Sequence, residues 1–169
     1  LKLKIWKKEM GNLLYKKNVG IIGYGKIGNY VGKLAKAFGA NILINDVKNI
    51  KNKTNLKNIF KYSDIVTIHS NFIKQDFKLI NKKYLKFLKK NSIIINTSRS
   101  EIIDYEYLYY LLKHNKIRGA ALDVFDIEPY YGKLIKLENT ILTPHIGSYA
   151  SEIRNQMEKE AVNSIIKYR

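Results

Sequence analysis

The chain has 169 residues, enough for one domain with its own core. It contains no cysteine, which excludes disulfides, thiolate catalysis and Cys-ligated zinc and fits a cytosolic setting; no metal site is assigned. The 31 Lys and Arg against 14 Asp and Glu leave a formal charge of +17, which raises nucleic acid or an anionic surface as a partner. Arg supplies only four of the basic residues, and the lysines run through the whole chain beside abundant Ile, Asn and Tyr. That spread reads as a compositional bias toward A/T-rich codons, so nucleic acid is set aside. No segment resembles a signal peptide, and no apolar run approaches the roughly 20 residues of a membrane span. The first residue is Leu1 rather than Met, which reads as a piece of a longer chain.

Residues 1–16 are basic and amphipathic, with Leu3, Ile5, Trp6, Leu13 and Leu14 as the apolar members. They read as a helical segment available for dimerisation, with Trp6 as a core or interface anchor. Residues 17–169 read as one domain. Asn18 to Ile22 is a short apolar run suited to a buried parallel strand. Gly23, Gly25 and Gly28 follow in G-x-G-x-x-G spacing: one for the turn, one for close approach of a pyrophosphate, one for helix–strand packing. The helix from Lys26 to Phe38 opens at Lys26 and Ile27 with free N–H groups and the positive end of its dipole. Its apolar face is expected to be Ile27, Val31, Leu34, Ala35 and Phe38, and Gly39 serves as its C-cap. Asn41 to Asn45 is a second strand. It ends at Asp46, 18 residues past Gly28, where a carboxylate accepts the ribose hydroxyls of a dinucleotide.

The remaining elements alternate. Lys48 to Lys57 reads as loop, Leu56 to Tyr62 as helix, and Asp64 to His69 as a third strand. Asn71 to Lys78 is polar loop, Leu79 to Leu88 a helix, and Ser92 to Asn96 a fourth strand. Asp104 caps a helix to about Asn115, with Glu106 in its first turn. Gly119 to Val124 and Thr140 to Leu142 are the fifth and sixth strands. Ser151 opens a helix to Lys167 with Ile153, Met157, Ala161 and Ile165 along one face. This alternation predicts an α/β fold, a Rossmann-type doubly wound parallel sheet in three α/β/α layers.

Ligands of such sheets lie beyond the carboxyl ends of the strands. Thr97, Ser98 and Arg99 stand there after the fourth strand, Asp123 and Glu128 after the fifth, His145 after the sixth, and His69 after the third. The blocks V-G-I-I-G-Y-G-K-I-G (Val19 to Gly28), I-N-T-S-R-S (Ile95 to Ser100), G-A-A-L-D-V-F-D-I-E-P (Gly119 to Pro129) and L-T-P-H-I-G (Leu142 to Gly147) resemble the nucleotide-binding domain of the D-isomer-specific 2-hydroxyacid dehydrogenases. The resemblance implies an NAD-dependent oxidoreductase moving a hydride between a 2-hydroxy acid and NAD, a homodimer, and a substrate domain built from sequence outside this chain. It implies Arg99, Glu128 and His145 as the catalytic set. Arg99 suits a substrate carboxylate or keto oxygen. His145 suits the hydroxyl proton. Glu128 suits the second imidazole nitrogen. The cofactor set is Gly23, Gly25, Lys26, Ile27, Gly28, Asp46, His69, Thr97, Ser98, Arg99, Asp123, His145 and Gly147, with Asp123 near the nicotinamide carboxamide. The tail from Pro144 to Ala161 most resembles phosphoglycerate dehydrogenase-like members, which points to a 3-phosphoglycerate-like substrate. Transcriptional co-repressors of the same family, which sense the dinucleotide without turnover, are the alternative. Two positions depart from the pattern. Ser100 replaces a usual glycine and would restrict a backbone that needed positive φ; Asn71 replaces a frequent proline.

Overall fold

The computed structural model describes residues 10–71 and 77–167. Leu3, Ile5 and Trp6 and the middle of the Asn71–Lys78 loop lie outside these residues. Among the described residues there are six strands: β1 (Asn18–Ile22), β2 (Asn41–Asn45), β3 (Ile65–Ile68), β4 (Ile93–Asn96), β5 (Gly119–Leu122) and β6 (Thr140–Leu142). All five pairings are parallel, in the order β2-β1-β3-β4-β5-β6. A parallel bridge from Ile44 to Lys53 extends the sheet beyond β2. The chain runs outward from β1 to β2, then returns to β3 on the other side of β1. The strand order therefore reverses between β1 and β3, and that reversal opens a crevice at their carboxyl ends.

The two faces of the sheet are covered differently. Helix α1 (Lys26–Ala37) packs on one face over Val19 and Ile21, with Ala35 and Ala40 closing that smaller core. Helices α2 (Leu56–Tyr62), α3 (Lys82–Leu85) and α4 (Tyr105–Lys113) cover the other. The larger core there includes Ile59, Phe60, Ile68, Leu85, Ile94 and Leu108, each fully buried. Strand β1 serves both cores, so four of its five residues are buried, as a central parallel strand requires.

Three expectations need correction. The buried face of α1 is Gly28, Gly32 and Ala35, whereas Ile27, Leu34 and Phe38 are exposed. A Cβ on Gly28 would stand 2.0 Å from the Gly23 carbonyl oxygen, and one on Gly32 would stand 3.1 Å from the Tyr24 ring. The helix approaches so closely that only its smallest side chains fit beneath it. The helix expected over Leu79 to Leu88 is confined to Lys82–Leu85. Ile80 is drawn out of it, because its N–H donates to the Ile102 carbonyl and it bridges to Ile103. Leu14 is half-buried and packs against the smaller core beside α1. The described part of the N-terminal segment, residues 10–16, forms no helix. The last helix, α5 (Ser151–Lys167), buries no residue, and Ile153, Met157 and Ile165 are exposed along it.

Candidate functional site

The crevice begins at the turn after β1. Gly23 takes φ +85°, and a Cβ there would meet the backbone of His69 and Ser70 at 2.5–2.7 Å. The β1 and β3 turns thus touch at the reversal point, with no room for a side chain. Gly25 precedes α1 at φ −73° without a side-chain cap, and among the described residues none beyond its chain neighbours comes within 4 Å of the place its Cβ would occupy. The first N–H groups of α1, from Lys26 onward, have no intrahelical acceptor and no acidic residue in the first turn to satisfy them. Open space in front of uncapped amides is what a pyrophosphate needs. Asp46 closes the far side. Its Oδ2 accepts from Tyr24 N–H at 2.6 Å and its Oδ1 from Lys48 N–H at 2.8 Å. Its carboxylate is therefore fixed beside the glycine turn, with acceptor capacity left for hydroxyls.

His69 is half-buried at the same reversal point, its Nε2 2.9 Å from Thr67 Oγ1. Burial lowers its pKa, which keeps it neutral near pH 7. At the end of β4, Asn96 organises the next turn, accepting from Ser98 N–H and Ser98 Oγ through its carboxamide oxygen. Thr97 and Arg99 are exposed on that turn, and Arg99 Nη1 donates to the Ser98 carbonyl at 2.7 Å. Ser100 is buried and opens a 3-10 turn, Ser100–Ile102, without positive φ, so the restriction expected of it does not arise.

Asp123 follows β5 and is buried. It accepts from Thr143 Oγ1 at 2.5 Å, Ile146 N–H at 2.9 Å and Gly147 N–H at 3.0 Å. Burial opposes its ionisation. The Thr143, Ile146 and Gly147 donors and the charge of His145 outweigh that and hold its carboxyl below the usual value. These bonds fold the loop that carries His145, whose backbone stands in the left-handed region at φ +52° with its N–H on the Thr143 carbonyl. A non-glycine residue persists there only when its surroundings over-determine it.

His145 Nδ1 lies 3.0 Å from Glu128 Oε2, and Glu128 Oε1 accepts from Phe125 N–H at 3.0 Å. The His145 contact, then the Phe125 amide, hold the Glu128 carboxyl below its ordinary range. An ionised carboxylate only accepts, so Nδ1 carries the hydrogen and Nε2 is left for a reacting proton. Arg99, Glu128 and His145, from three different strand ends, line one cavity of about 250 Å3 together with Val124, Phe125 and Asp126. The residues that sequence reasoning missed are Asn96 and Tyr105, both buried and hydrogen-bonded to the Arg99 and Val124 carbonyls of this cavity's rim. Only the position of Asn96 at a strand end, just before Thr-Ser-Arg, pointed toward the first.

Sheet order, glycine turn and Asp46 define a dinucleotide-binding domain of the Rossmann class. The sequence matches the family described as D-isomer specific 2-hydroxyacid dehydrogenase, NAD binding domain, over residues 1–147. The chain belongs to that family. It is 35% identical over 181 residues to a glyoxylate reductase of Thermococcus litoralis, covering 96% of this chain and 55% of the relative. It is 34% identical to a D-3-phosphoglycerate dehydrogenase of Dictyostelium discoideum, covering 98% and 44%. Its fold superposes on D-lactate dehydrogenase from Aquifex aeolicus, solved with NAD and lactic acid, with a TM-score of 0.89 and 26% identity over 99% of this chain and 58% of that one. The chain spans about half the length of the curated relatives it matches. No helix among the described residues is long and apolar enough to cross a membrane.

Proposed function

We propose that the protein carries out reversible hydride transfer between a 2-hydroxy acid and NAD, as a cytoplasmic NAD-dependent D-2-hydroxyacid dehydrogenase. The observation that supports this reading is the convergence of Arg99, Glu128 and His145 on one small cavity, with His145 Nδ1 3.0 Å from a carboxylate. NAD, when bound, supplies the ring that accepts the hydride. Gly23, Gly25 and Gly28, with the amides of Lys26 and Ile27, cradle its pyrophosphate, and Asp46 holds a ribose. Thr97, Ser98, His69, Asp123 and Gly147 border the rest of the cleft. The Arg99 fork holds the substrate carboxylate. As the C–H hydrogen leaves as hydride, His145 Nε2 takes the hydroxyl proton. In reduction His145 returns that proton to the carbonyl oxygen. Glu128 keeps the imidazole oriented and stabilises its protonated form.

The tail Pro144–Ala161 favours a 3-phosphoglycerate-like substrate, while the glyoxylate reductase relatives favour a two-carbon keto acid. The test assays the whole translated product with NADH against a panel including glyoxylate, pyruvate and 3-phosphohydroxypyruvate. Turnover supports the enzyme reading and ranks the substrates. NADH binding without turnover of any 2-keto acid overturns it in favour of a dinucleotide-sensing module. A homodimer completes the proposal. It is supported by apolar Ile27, Tyr30 and Leu34, exposed along α1, by Phe38, exposed at its C-cap, and by exposed Leu13 before β1. Sedimentation at micromolar concentration is expected to give twice the monomer mass, and a monomer at every concentration would refute it.

A further inference from the structure

The turn that presents Arg99 hangs from one buried side chain. Asn96, at the end of β4, is fully buried. Its Oδ1 accepts from Ser98 N–H at 3.0 Å and from Ser98 Oγ at 2.9 Å. Its Nδ2 donates to the Arg99 carbonyl at 3.0 Å and to the Tyr105 hydroxyl at 3.3 Å. These four bonds use an Asn amide completely. Tyr105 in turn donates to the Val124 carbonyl at 2.8 Å. Val124 stands between Asp123, which holds the His145 loop, and Phe125, whose N–H holds Glu128. One phenol therefore joins the turn of Arg99 to the turn of Glu128, across neighbouring strands.

Nothing in the helix itself asks for this hydroxyl. Tyr105 is the first residue of α4, and Asp104 already caps that helix by accepting from Tyr107 N–H. Filling the core would need only the ring. Burial pushes the phenol far above the ordinary tyrosine value, so it remains a neutral donor at every working pH.

We infer that Tyr105 is a positioning residue of the substrate site: its hydroxyl, through Asn96 and the Val124 carbonyl, sets where Arg99 stands relative to Glu128 and His145. The inference rests on the reading above that Arg99 holds the substrate carboxylate. A phenol that merely satisfied buried groups would, when removed, lower stability and leave the kinetics of the folded protein unchanged.

The test is a double-mutant cycle in the whole translated product, with glyoxylate and NADH as probes. Tyr105→Phe is expected to lower kcat/KM for glyoxylate roughly tenfold, as two buried groups lose their partner. Its Kd for NADH is expected to stay within about twofold, since the glycine turn is untouched. In an Arg99→Lys background the same change is expected to add less than about twofold, because the group it positions is gone. Additive effects, or unchanged kinetics in a folded Tyr105→Phe, would overturn the role of Tyr105. The Arg99→Lys arm separates the two possible failures. Unchanged kinetics in that single variant overturn the substrate-site reading. A crippled Arg99→Lys beside an unaffected Tyr105→Phe overturns only the positioning role. If Tyr105→Phe is not recovered folded, Tyr105→His, which lacks the phenol but keeps a ring N–H, enters the same cycle: coupling to Arg99→Lys supports the inference and additivity refutes it.

Discussion

Gly25 and Gly28 lie three residues apart, and the same substitution at each has opposite consequences. A Cβ on Gly28 would stand 2.0 Å from the Gly23 carbonyl oxygen and 3.1 Å from its carbon, against an ordinary contact that begins at 3.4 Å. Backbone cannot rotate out of the way, so α1 must move from β1 by more than 1 Å. Overpacking of this kind costs about 1–3 kcal/mol and occasionally more. At about 2–4 °C per kcal/mol for a chain of this size, Gly28→Ala is expected to lower Tm by up to about 12 °C. Gly25 has φ −73°, which alanine adopts without strain, and its Cβ would meet no described residue within 4 Å beyond its chain neighbours. Gly25→Ala is therefore expected to be neutral or stabilising by up to about 1 kcal/mol, through the unfolded state. On the proposed pyrophosphate cradle the added methyl stands in the path of the ligand, so NADH affinity is expected to fall by about 30-fold or more, near 2 kcal/mol. Thermal melting and calorimetry with NADH on the 169-residue chain read both quantities. A Gly25→Ala chain that melts normally and binds NADH like the parent would refute the cradle. An undisturbed Tm in Gly28→Ala would refute the packing argument.

Four further outcomes are expected. The Asp46 carboxylate meets a 2′-phosphate as like charge, so NADH should bind more tightly than NADPH in a fluorescence titration; equal affinity would mean that Lys48, Lys51 and Lys53 compensate. His145→Gln in the whole translated product should lower kcat by about 10²-fold or more, with NADH affinity little changed; retention of most of kcat would remove His145 as the proton carrier. Asp123 has a folded pKa below its ordinary 3.8, so its contribution to stability is present above that value and is lost as pH falls through the lower folded one. Asp123→Asn should cost about 1.5–3 kcal/mol at pH 7 and flatten the acid limb of denaturation curves, and an unaltered acid limb would contradict this. The 169-residue chain is expected to bind NADH yet turn over little or no 2-keto acid, because orientation and exclusion of water supply roughly 7–11 kcal/mol that an open face lacks; turnover at rates typical of an intact dehydrogenase would refute that.

The strand runs, the G-x-G-x-x-G turn, Asp46 and the Asp104 cap were legible in the sequence because each answers a local demand. An apolar run of strand length, a turn that needs positive φ at Gly23, and a helix start that needs an acceptor are all written within a few residues. Arg99, Glu128 and His145 could be placed at strand ends by the same means, although spacing alone did not bring them into one cavity. Tertiary structure decided the rest. Hydrophobic periodicity assigned Ile27, Leu34 and Phe38 to the core, but the distance between α1 and β1 admits only Gly28, Gly32 and Ala35. Helical pattern extended α3 through Ile80, but a distant partner, Ile103, took that backbone for a bridge. Tyr105, next to the Asp104 cap, carries no local signal that sets it apart from the other aromatics of α4. Its hydroxyl acquires a role only because β4 and β5 lie side by side, which brings Asn96 and Val124 within reach of the same oxygen. A hydrogen bond between residues 19 apart has no signature in local pattern, since the chain between them can take many paths and only the packed sheet selects one.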